Sequence, residues 1–298
     1  MTIGAGKIEI EKRPHMVVNR DYVFILESCG LLDFDRLYHY QGGIAVKQIR
    51  DRSVLRLDVH DGTKNKVFYL KRHSAVRCGF QELITNRMTG HSPSPGMSEF
   101  ENICDFRTRR IPTVTPVAAG ERRVGFARYE SFLLTESYDP YISLEEIIYH
   151  HPEMLQGADG RLHKEKLIES IAKLARQMHD AGFNHRDFNA THVLVGPEGN
   201  DGNLPLALFD LQRMDRKKWL RWKWFIKIMA ELSYTMPEPL FNDQDRLLLY
   251  QSYKGSFTLQ MLDRALLKLI KMKMKKISRH TDKIRVRRNK ENHLNRAL

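Results

Sequence analysis

The chain changes character near Tyr138, and this change constrains its fold more than any other feature. Three segments before that point, residues 37–49, 53–59 and 66–71, are rich in β-branched and aromatic residues and are separated by short turns, a pattern typical of antiparallel strands. After it, apolar residues recur mainly at helical spacing. Strands followed by helices predict an α+β fold with two lobes, a small antiparallel-sheet N-lobe and a helical C-lobe.

Three regions follow from this pattern: an N-lobe over residues 1–137, a C-lobe over 138–270 and a basic tail over 271–298. The N-lobe also contains a helical segment at 98–109. The C-lobe has its clearest helix at about 163–181, because apolar residues there form one stripe. The stripe consists of Leu167, Ile171, Leu174 and Met178. The tail is dense in lysine and arginine, which predicts a helix that frays into disorder.

The segment that follows this helix carries the most informative motif. The tripeptide His-Arg-Asp occupies 185–187, and an apolar strand at 206–211 then carries Asp210. Phosphoryl transfer needs one carboxylate that deprotonates the acceptor hydroxyl and a second that holds Mg²⁺ against the nucleotide phosphates. Asp187 and Asp210, 23 positions apart, fit the roles of base and metal ligand. The alternative is a surface turn with a chance tripeptide, but its place between an amphipathic helix and an apolar strand favours a kinase.

A lysine at the end of an apolar strand is the second candidate. Lys71 stands where a kinase places the lysine that contacts the α- and β-phosphates of ATP, and the alternative is a solvated run of charged residues. A carboxylate on the helix at 98–109 would pair with it, and both Glu99 and Glu101 lie there. Glu99 is preferred, because Glu101 stands three residues after Ser98 and would serve in a capping box.

The glycine-rich loop of protein kinases has no close counterpart here. The expected turn, 50–53, is Arg-Asp-Arg-Ser, and Gly42 and Gly43 come earlier, inside the first predicted strand. Backbone amides together with two guanidinium groups could still surround phosphates, since arginine pairs bidentately with phosphate oxygens. A plain basic turn is the alternative.

Together these residues resemble a known family, the lipopolysaccharide core kinases of Gram-negative bacteria, the Kdo/WaaP type that phosphorylates inner-core heptose. The resemblance covers most of the chain and rests on short motifs. They are Gly42-Gly43, Phe68-Tyr69-Leu70-Lys71-Arg72-His73, Glu99-Phe100, Ile111-Pro112-Thr113, His185-Arg186-Asp187 through His192, Asp210-Leu211-Gln212-Arg213, Phe225-Ile226-Lys227, Ser233-Tyr234, Asp245-Arg246 and Tyr250. It implies an atypical protein-kinase-like fold, ATP with a divalent metal, Mg²⁺, and a sugar hydroxyl of heptose, Kdo or a related glycolipid as acceptor.

The resemblance also implies roles for single residues. Lys71 would be the ATP lysine, Glu99 its partner, Asp187 the base and Asp210 the metal ligand. His192 stands where protein kinases carry a metal-binding asparagine. Since an imidazole can ligate metal or hydrogen-bond close to it, His192 is interpreted as a second metal ligand, with a packed core histidine as the alternative.

One departure from the wider kinase pattern concerns the support of the catalytic loop. Ile228 stands after Lys227, where an aspartate that anchors this loop by hydrogen bonds is expected. Glu231 lies one helical turn further on and could substitute. The sequence therefore predicts either that another residue replaces the aspartate as anchor of the catalytic loop, or that the enzyme is weakened and retuned.

The charge of the chain predicts an anionic partner. Lysine and arginine outnumber aspartate and glutamate by 49 to 36, a formal net charge of +13, which attracts polyanions. An anionic glycolipid or sugar substrate and the anionic surface of the inner membrane are expected, and nucleic acid is not. The aromatic and basic run at 216–225, which includes Trp219, is interpreted as core on one face with its charges available to lipid headgroups.

The expected location is the cytoplasm, peripheral on the cytoplasmic face of the inner membrane. No stretch approaches the roughly 20 apolar residues of a membrane span, and the first residues lack the apolar core of a secretory signal. Cys29, Cys78 and Cys104 are scattered without metal-binding spacing, which favours reduced thiols. The sequence predicts neither the oligomeric state nor protein partners.

Two alternatives to a lipopolysaccharide kinase lead to different expectations for the catalytic residues. A protein or small-molecule kinase would share every catalytic residue and differ only in its acceptor surface. A catalytically silent kinase-like module would use its basic faces to bind an anionic partner. The presence of Lys71, Asp187 and Asp210 together favours an enzyme, since a binding module has no physical need for all three.

Overall fold

The computed structural model describes residues 6–49, 51–60, 65–79, 90–199, 204–216 and 221–296. Arg50, the predicted turn at 61–63 and Trp219 lie outside these ranges. The chain divides into two compact units: the first combines Met1–Pro140 with Ala207–Met214, and the second combines Tyr141–Leu206 with Asp215–Leu298. The short segment that carries Asp210 therefore groups with the strand-rich part of the chain, although the sequence pattern assigned it to the helical lobe.

The first unit contains, among its described residues, an antiparallel sheet of seven strands in the order β1-β2-β6-β7-β5-β4-β3. The strands are β1 (Ile10–Arg13), β2 (Met16–Asn19), β3 (Ile44–Ile49), β4 (Arg52–His60), β5 (Asn65–Arg77), β6 (Pro116–Gly125) and β7 (Arg128–Glu136). Its helices are α1 (Val23–Ser28), α2 (Phe34–Tyr38) and α3 (Pro95–Thr108). The predicted first strand at 37–49 was too long at its start, because Asp33 caps the short helix α2 there. The α+β class with an antiparallel sheet is confirmed.

Alternating burial explains how β4 and β5 pack one face of this sheet on the core. Along β4, Leu55, Leu57 and Val59 are buried while the residues between them are exposed, as expected for a strand with one face on a core. On β5, Phe68 and Leu70 are fully buried in the same apolar cluster. The two strands pair in continuous antiparallel register from end to end, so the residues that follow Leu70 occupy fixed positions.

Helix α3 packs closely against β7 because its second residue is a glycine. A Cβ at Gly96 would lie 2.5 Å from the backbone oxygen of Phe132, so no larger residue fits without movement. The Gly96 amide also donates a hydrogen bond to Ser131 Oγ at 3.1 Å. Phe100, Ile103 and Phe106 face the interior, as their helical spacing predicts. The close contact therefore fixes both the position and the rotation of α3.

The second unit is mainly helical. Its helices are α4 (Leu144–His150), α5 (Gly157–Asp180), α6 (Arg221–Thr235), α7 (Asp243–Lys254) and α8 (Met261–Arg296). Short strands are β8 (Ile142–Ser143), β9 (Asn184–His185), β10 (Val193–Val195), β11 (Leu206–Leu208) and β12 (Met214–Asp215), of which the last two include residues of both units. The predicted stripe on α5 is confirmed, since Leu167, Ile171, Leu174 and Met178 are all buried.

Helix α8 runs without interruption from the end of the helical core through the predicted basic tail. Ile270 is buried and Asp263 accepts a hydrogen bond from Tyr250 Oη at 2.6 Å, so the first turns are fixed to the second unit. In the described part of the chain, no helix has both the length and the apolar composition that a membrane crossing requires.

The contact at Gly96 generates the first testable prediction. Replacing Gly96 by Ala places a methyl group against the backbone of Phe132, so the free energy of unfolding should fall by about 1–3 kcal/mol, as overpacking usually causes. Chemical denaturation measures this. The control is Gly125→Ala, where the nearest atom to the added Cβ is Arg128 Cβ at 3.7 Å, an ordinary contact. Equal stability of the two variants would contradict a close-packed origin for the position of α3.

Candidate active site

A lysine and two carboxylates meet on the first unit. Lys71 Nζ donates a hydrogen bond to Glu99 Oε1 at 2.7 Å and lies 3.2 Å from Asp210 Oδ1. Lys71 stands on β5 opposite Val54 on β4 and Leu133 on β7, so hydrogen-bonded strands flank it on both sides. The structure thus brings together three of the residues that the sequence analysis selected.

Glu99 is almost completely buried, with only 1% of its side chain exposed. Burial raises the pKa of its carboxyl group, while the neighbouring Lys71 ammonium opposes this increase. One oxygen, Oε2, is buried and has no hydrogen-bond partner among the described residues. A carboxylate in such surroundings depends on a nearby cation, because a buried charge without a partner is costly. Lys71 and Glu99 are therefore a mutually dependent pair.

Asp210 occupies a left-handed backbone conformation with φ of 57°, which aspartate tolerates better than most residues. Buried hydrogen bonds hold the chain on both sides of it. Thr113 Oγ1 donates to the Leu208 carbonyl at 2.7 Å, and Asn102 Nδ2 donates to the Leu211 carbonyl at 2.7 Å. These bonds attach the segment to the same unit as Lys71, so the carboxylate of Asp210 is held in a defined place.

The residues around Asp210 fit a magnesium ion that is shared with a phosphate ligand. In the described residues no group of three histidine, cysteine, aspartate or glutamate side chains comes together as a ready metal site. Magnesium, however, usually binds through one or two carboxylates together with substrate phosphates and water. Asp210 is 22% exposed and supplies hard oxygen atoms, so its carboxylate meets that requirement.

Asp187 lies on the second unit, in a loop between β9 and β10. Its amide donates a hydrogen bond to His185 Nδ1 at 3.1 Å, which fixes the backbone at the residue itself. Arg186 forms an ion pair with Asp215 at 2.6 Å, and Asn184 Nδ2 donates to the same carboxylate at 3.1 Å. These contacts lie on both sides of Asp187 and hold in place the loop that carries its carboxylate.

His192 also belongs to this loop. Its Nδ1 lies 2.7 Å from the Asp187 carbonyl oxygen, and since a carbonyl only accepts, Nδ1 carries the proton. The His192 ring stacks on the fully buried ring of His185, with centroids 5.6 Å apart. A histidine that ligates metal typically donates its other ring N–H to a backbone carbonyl in this way. The observed tautomer is therefore compatible with both interpretations, metal ligand and packed histidine.

The predicted gap at Ile228 is filled by other residues. Ile228 is buried and apolar, but the preceding Lys227 donates a hydrogen bond to the Arg186 carbonyl and pairs with Glu231 at 3.2 Å. Thr235 Oγ1 accepts a hydrogen bond from the Ala190 amide at 3.1 Å. Helix α6 therefore anchors the loop through a lysine and a threonine, and Glu231 acts by holding the lysine.

Sequence reasoning missed two contacts of the site. No sequence pattern around Asp215 marks it as the partner of Arg186, because the two residues meet only when the folded chain returns to the loop. Arg52 was considered as a phosphate contact, but its position 3.4 Å from Asp210 was not foreseen. Glu101, the alternative partner for Lys71, instead accepts a hydrogen bond from the Ser92 amide at 3.0 Å.

Protein-kinase-like phosphotransferases depend on one arrangement of three residues. A lysine on a strand pairs with a glutamate on a helix, beside an aspartate on which a metal ion could be held. The fold and the site therefore define this class of protein. The family follows from the sequence itself. Residues 47–253 match the model of the lipopolysaccharide kinase (Kdo/WaaP) family, and the chain belongs to that family. It is accordingly a kinase.

Named relatives agree with this assignment. The lipopolysaccharide core heptose(I) kinase WaaP of Pseudomonas aeruginosa strain PAO1 is 28% identical over 223 residues, which cover 74% of this chain and 80% of the relative. A protein of the same name from Escherichia coli is 28% identical over 205 residues, or 68% and 74% of the two chains. A solved structure, WaaP in complex with acyl carrier protein, matches with a TM-score of 0.66 and 25% identity over 88% of this chain and 98% of that chain.

The pair of Lys71 and Glu99 generates the second prediction. Lys71→Met removes the cation that opposes the rise in the pKa of Glu99. The folded variant therefore keeps the Glu99 proton at pH values where the unfolded chain, with its ordinary pKa of about 4.3, has lost it. Stability should therefore fall as pH rises from 5 to 8. The loss near pH 8 should be about 3–5 kcal/mol, as for other broken buried pairs. Urea denaturation at both pH values measures it.

Two further variants test the cause. Glu99→Gln in the Lys71→Met background should restore stability at pH 8 and abolish the pH dependence that Lys71→Met introduces, because residue 99 then has no carboxyl group to titrate. Lys47→Met, on the exposed strand β3, should change stability little. A loss in Lys71→Met that is equal at pH 5 and pH 8 would show that the missing side chain, and not the charge of Glu99, causes it.

Proposed function

We propose that this protein transfers the γ-phosphoryl group of ATP to a sugar hydroxyl of the lipopolysaccharide inner core, and that heptose rather than Kdo carries this hydroxyl. The observation that supports it most is the position of Lys71 between Glu99 and Asp210, which is the arrangement that a nucleotide phosphate chain needs. The names of the relatives, both heptose(I) kinases, support heptose as the acceptor.

The nucleotide is assigned to the N-lobe, residues 1–137, together with Asp210. Lys71 would bind the α- and β-phosphates, and Glu99 would hold the Lys71 ammonium in the orientation that this requires. Magnesium bound by Asp210, with His192 as a further ligand, would neutralise charge on the β- and γ-phosphates.

The acceptor is assigned to the C-lobe, residues 138–270. Asp187 would accept the proton of the sugar hydroxyl as this oxygen attacks the γ-phosphorus, so that the proton moves to the carboxylate and ADP leaves. The fixed backbone around Asp187 supports this role, because a base is effective only when its carboxylate is held in place.

Two aspartate variants should fail in different ways. Asp187→Asn keeps the size of the side chain but cannot accept a proton, so ATP should bind normally while transfer falls by about 10²–10⁴-fold. Asp210→Asn removes a metal ligand charge, and should weaken the magnesium-dependent part of ATP binding as well as the rate. Calorimetric ATP titrations with and without Mg²⁺, beside a transfer assay, separate the two. Asp58→Asn, on the exposed side of β4, is the control.

The choice of acceptor determines how this assay is read. A core oligosaccharide that contains heptose should be phosphorylated, and a truncated acceptor that contains Kdo alone should not. Transfer to the Kdo acceptor would move the proposal to that sugar. Nucleotide binding without transfer to either acceptor would favour the silent kinase-like module. Near-normal transfer by Asp187→Asn would overturn Asp187 as the base.

The exposed side of α8 supports a location on the cytoplasmic face of the inner membrane. Five large apolar side chains are exposed on or just before this helix: Phe257, Met261, Leu262, Leu269 and Met272. The spacing of 261, 269 and 272 places these residues on one side of the helix. Exposed basic residues flank them: Arg264, Lys268, Lys271, Lys275 and Lys276. Apolar side chains bordered by lysine are suited to lie in the headgroup region of an anionic bilayer, and we call this surface the α8 face.

The α8 face predicts salt-dependent membrane binding. Replacing Leu262 and Leu269 together by Ser should lower recovery with phosphatidylglycerol vesicles about tenfold, because two side chains lose contact with the acyl region. Recovery of the parent should also fall as salt rises, since charges are screened within roughly 8 Å at 0.15 M. Cosedimentation measures both, with Phe24→Ser on the first unit as control, because Phe24 is a large apolar side chain exposed outside the α8 face. Unchanged vesicle binding, with lost binding of an acidic carrier protein, would assign the face to a protein partner.

A further inference from the structure

Two cations contact the two oxygens of one carboxylate on the first unit. Arg52 Nη2 lies 3.4 Å from Asp210 Oδ2, and Lys71 Nζ lies 3.2 Å from Oδ1. Burial, with the charges of Arg52 and Lys71, lowers the pKa of the adjacent His73 to about 4, so the imidazole adds no third positive charge near neutral pH. With Glu99, these contacts among the described residues pair two cations with two anions. A metal ion on Asp210 would take up the charge that Arg52 contacts.

Arg52 occupies the place where protein kinases have a glycine-rich loop over the nucleotide phosphates, at the start of β4. Hydrogen bonds hold the residues on both sides of it. The Ser74 amide donates to the Asp51 carbonyl at 3.1 Å, and Arg72 Nε donates to Ser53 Oγ at 3.1 Å. Arg52 itself lies opposite His73 in the paired strands. The sheet therefore fixes the backbone of Arg52, and the contact with Asp210 places its guanidinium group.

The guanidinium group of Arg52 has donor capacity that the described residues do not use. Its Nε is buried and lacks a hydrogen-bond partner among them. The side chain is nevertheless 23% exposed and its Nη2 lies 3.4 Å from Asp210 Oδ2, so a ligand that reaches the aspartate can also reach the arginine. A planar group with several donors and a permanent charge binds phosphate oxygens bidentately.

We propose that Arg52 is a nucleotide-binding residue that contacts the terminal phosphates, in the place of a glycine-rich loop. This inference rests on the proposed function, since it assumes that ATP binds beside Lys71. When the charge of Asp210 is taken up by a metal ion, the Arg52 guanidinium needs a different anion, and the β- and γ-phosphates supply it. Lys71 remains balanced by Glu99 throughout.

The test compares three nucleotides on purified full-length variants by calorimetry in the presence of Mg²⁺. Arg52→Ala should weaken ATP binding about 10- to 100-fold, the effect of losing charge-assisted hydrogen bonds, and ADP binding less. AMP binding should stay within about twofold, because AMP lacks both terminal phosphates. Arg52→Lys should recover part of the loss, since it restores the charge but not the planar group.

The control is Arg56→Ala, four residues further along β4, where the side chain is exposed and pairs with Asp58. It should bind all three nucleotides as the parent does. An unfolding temperature of Arg52→Ala equal to that of the parent verifies that the variant is folded. Equal ATP affinity of Arg52→Ala and the parent, or an equal loss for ATP and AMP, would overturn the role of Arg52 alone. A parent protein that binds no adenine nucleotide would overturn this inference together with the proposed function.

Discussion

The ion pair between Lys71 and Glu99 is the interaction on which the first unit's site depends. Glu99 is 1% exposed and Lys71 13% exposed, so neither charge is stabilised by much water. The desolvation cost of such a pair often exceeds its Coulomb attraction, and the pair is therefore better explained by what it positions than by a gain in stability. It holds an ammonium group 3.2 Å from the carboxylate of Asp210, where a phosphate chain with its metal ion would require a cation.

Two unrelated features of the sequence make that pair geometrically possible. The pairing of β5 with β4 and β7, which is regular on both sides of Lys71, fixes the Cα of Lys71, and the contact of Gly96 with Phe132 fixes the helix that carries Glu99. Three turns of side chains from that helix are buried, so its rotation is determined by packing. The distance between the two charged groups thus follows from the apolar core, which tolerates little displacement.

The change from strands to helices could be predicted from sequence, and most residues of the candidate site could be proposed from it, because both depend on neighbouring residues. Alternation along β4 and the stripe on α5 are local patterns, and so is the tripeptide that contains Asp187. The contact of Arg52 with Asp210 joins positions 158 residues apart, and no local pattern encodes it. The support of the catalytic loop was missed for the same reason. An aspartate was expected at 228, but a buried Ile228 packs there and Lys227 binds the loop. The partner of Lys71 was an intermediate case, since helical spacing left both Glu99 and Glu101 available and only packing separated them.

The use of an arginine in place of glycine-rich backbone has a physical consequence for the protein without nucleotide. A loop of backbone amides carries no net charge and can remain open to water, whereas a partly buried guanidinium group needs an anion at all times. Asp210 supplies that anion here, and its carboxylate accepts from Arg52 and Lys71 at once. The oxygens of the same aspartate would suit magnesium, so a bound metal ion and Arg52 would compete for one carboxylate. Metal without nucleotide would then deprive Arg52 of the anion that it contacts among the described residues, while nucleotide phosphates would supply another. On the proposed function, the charges of the site would therefore favour the nucleotide and its metal as a single ligand over either one alone.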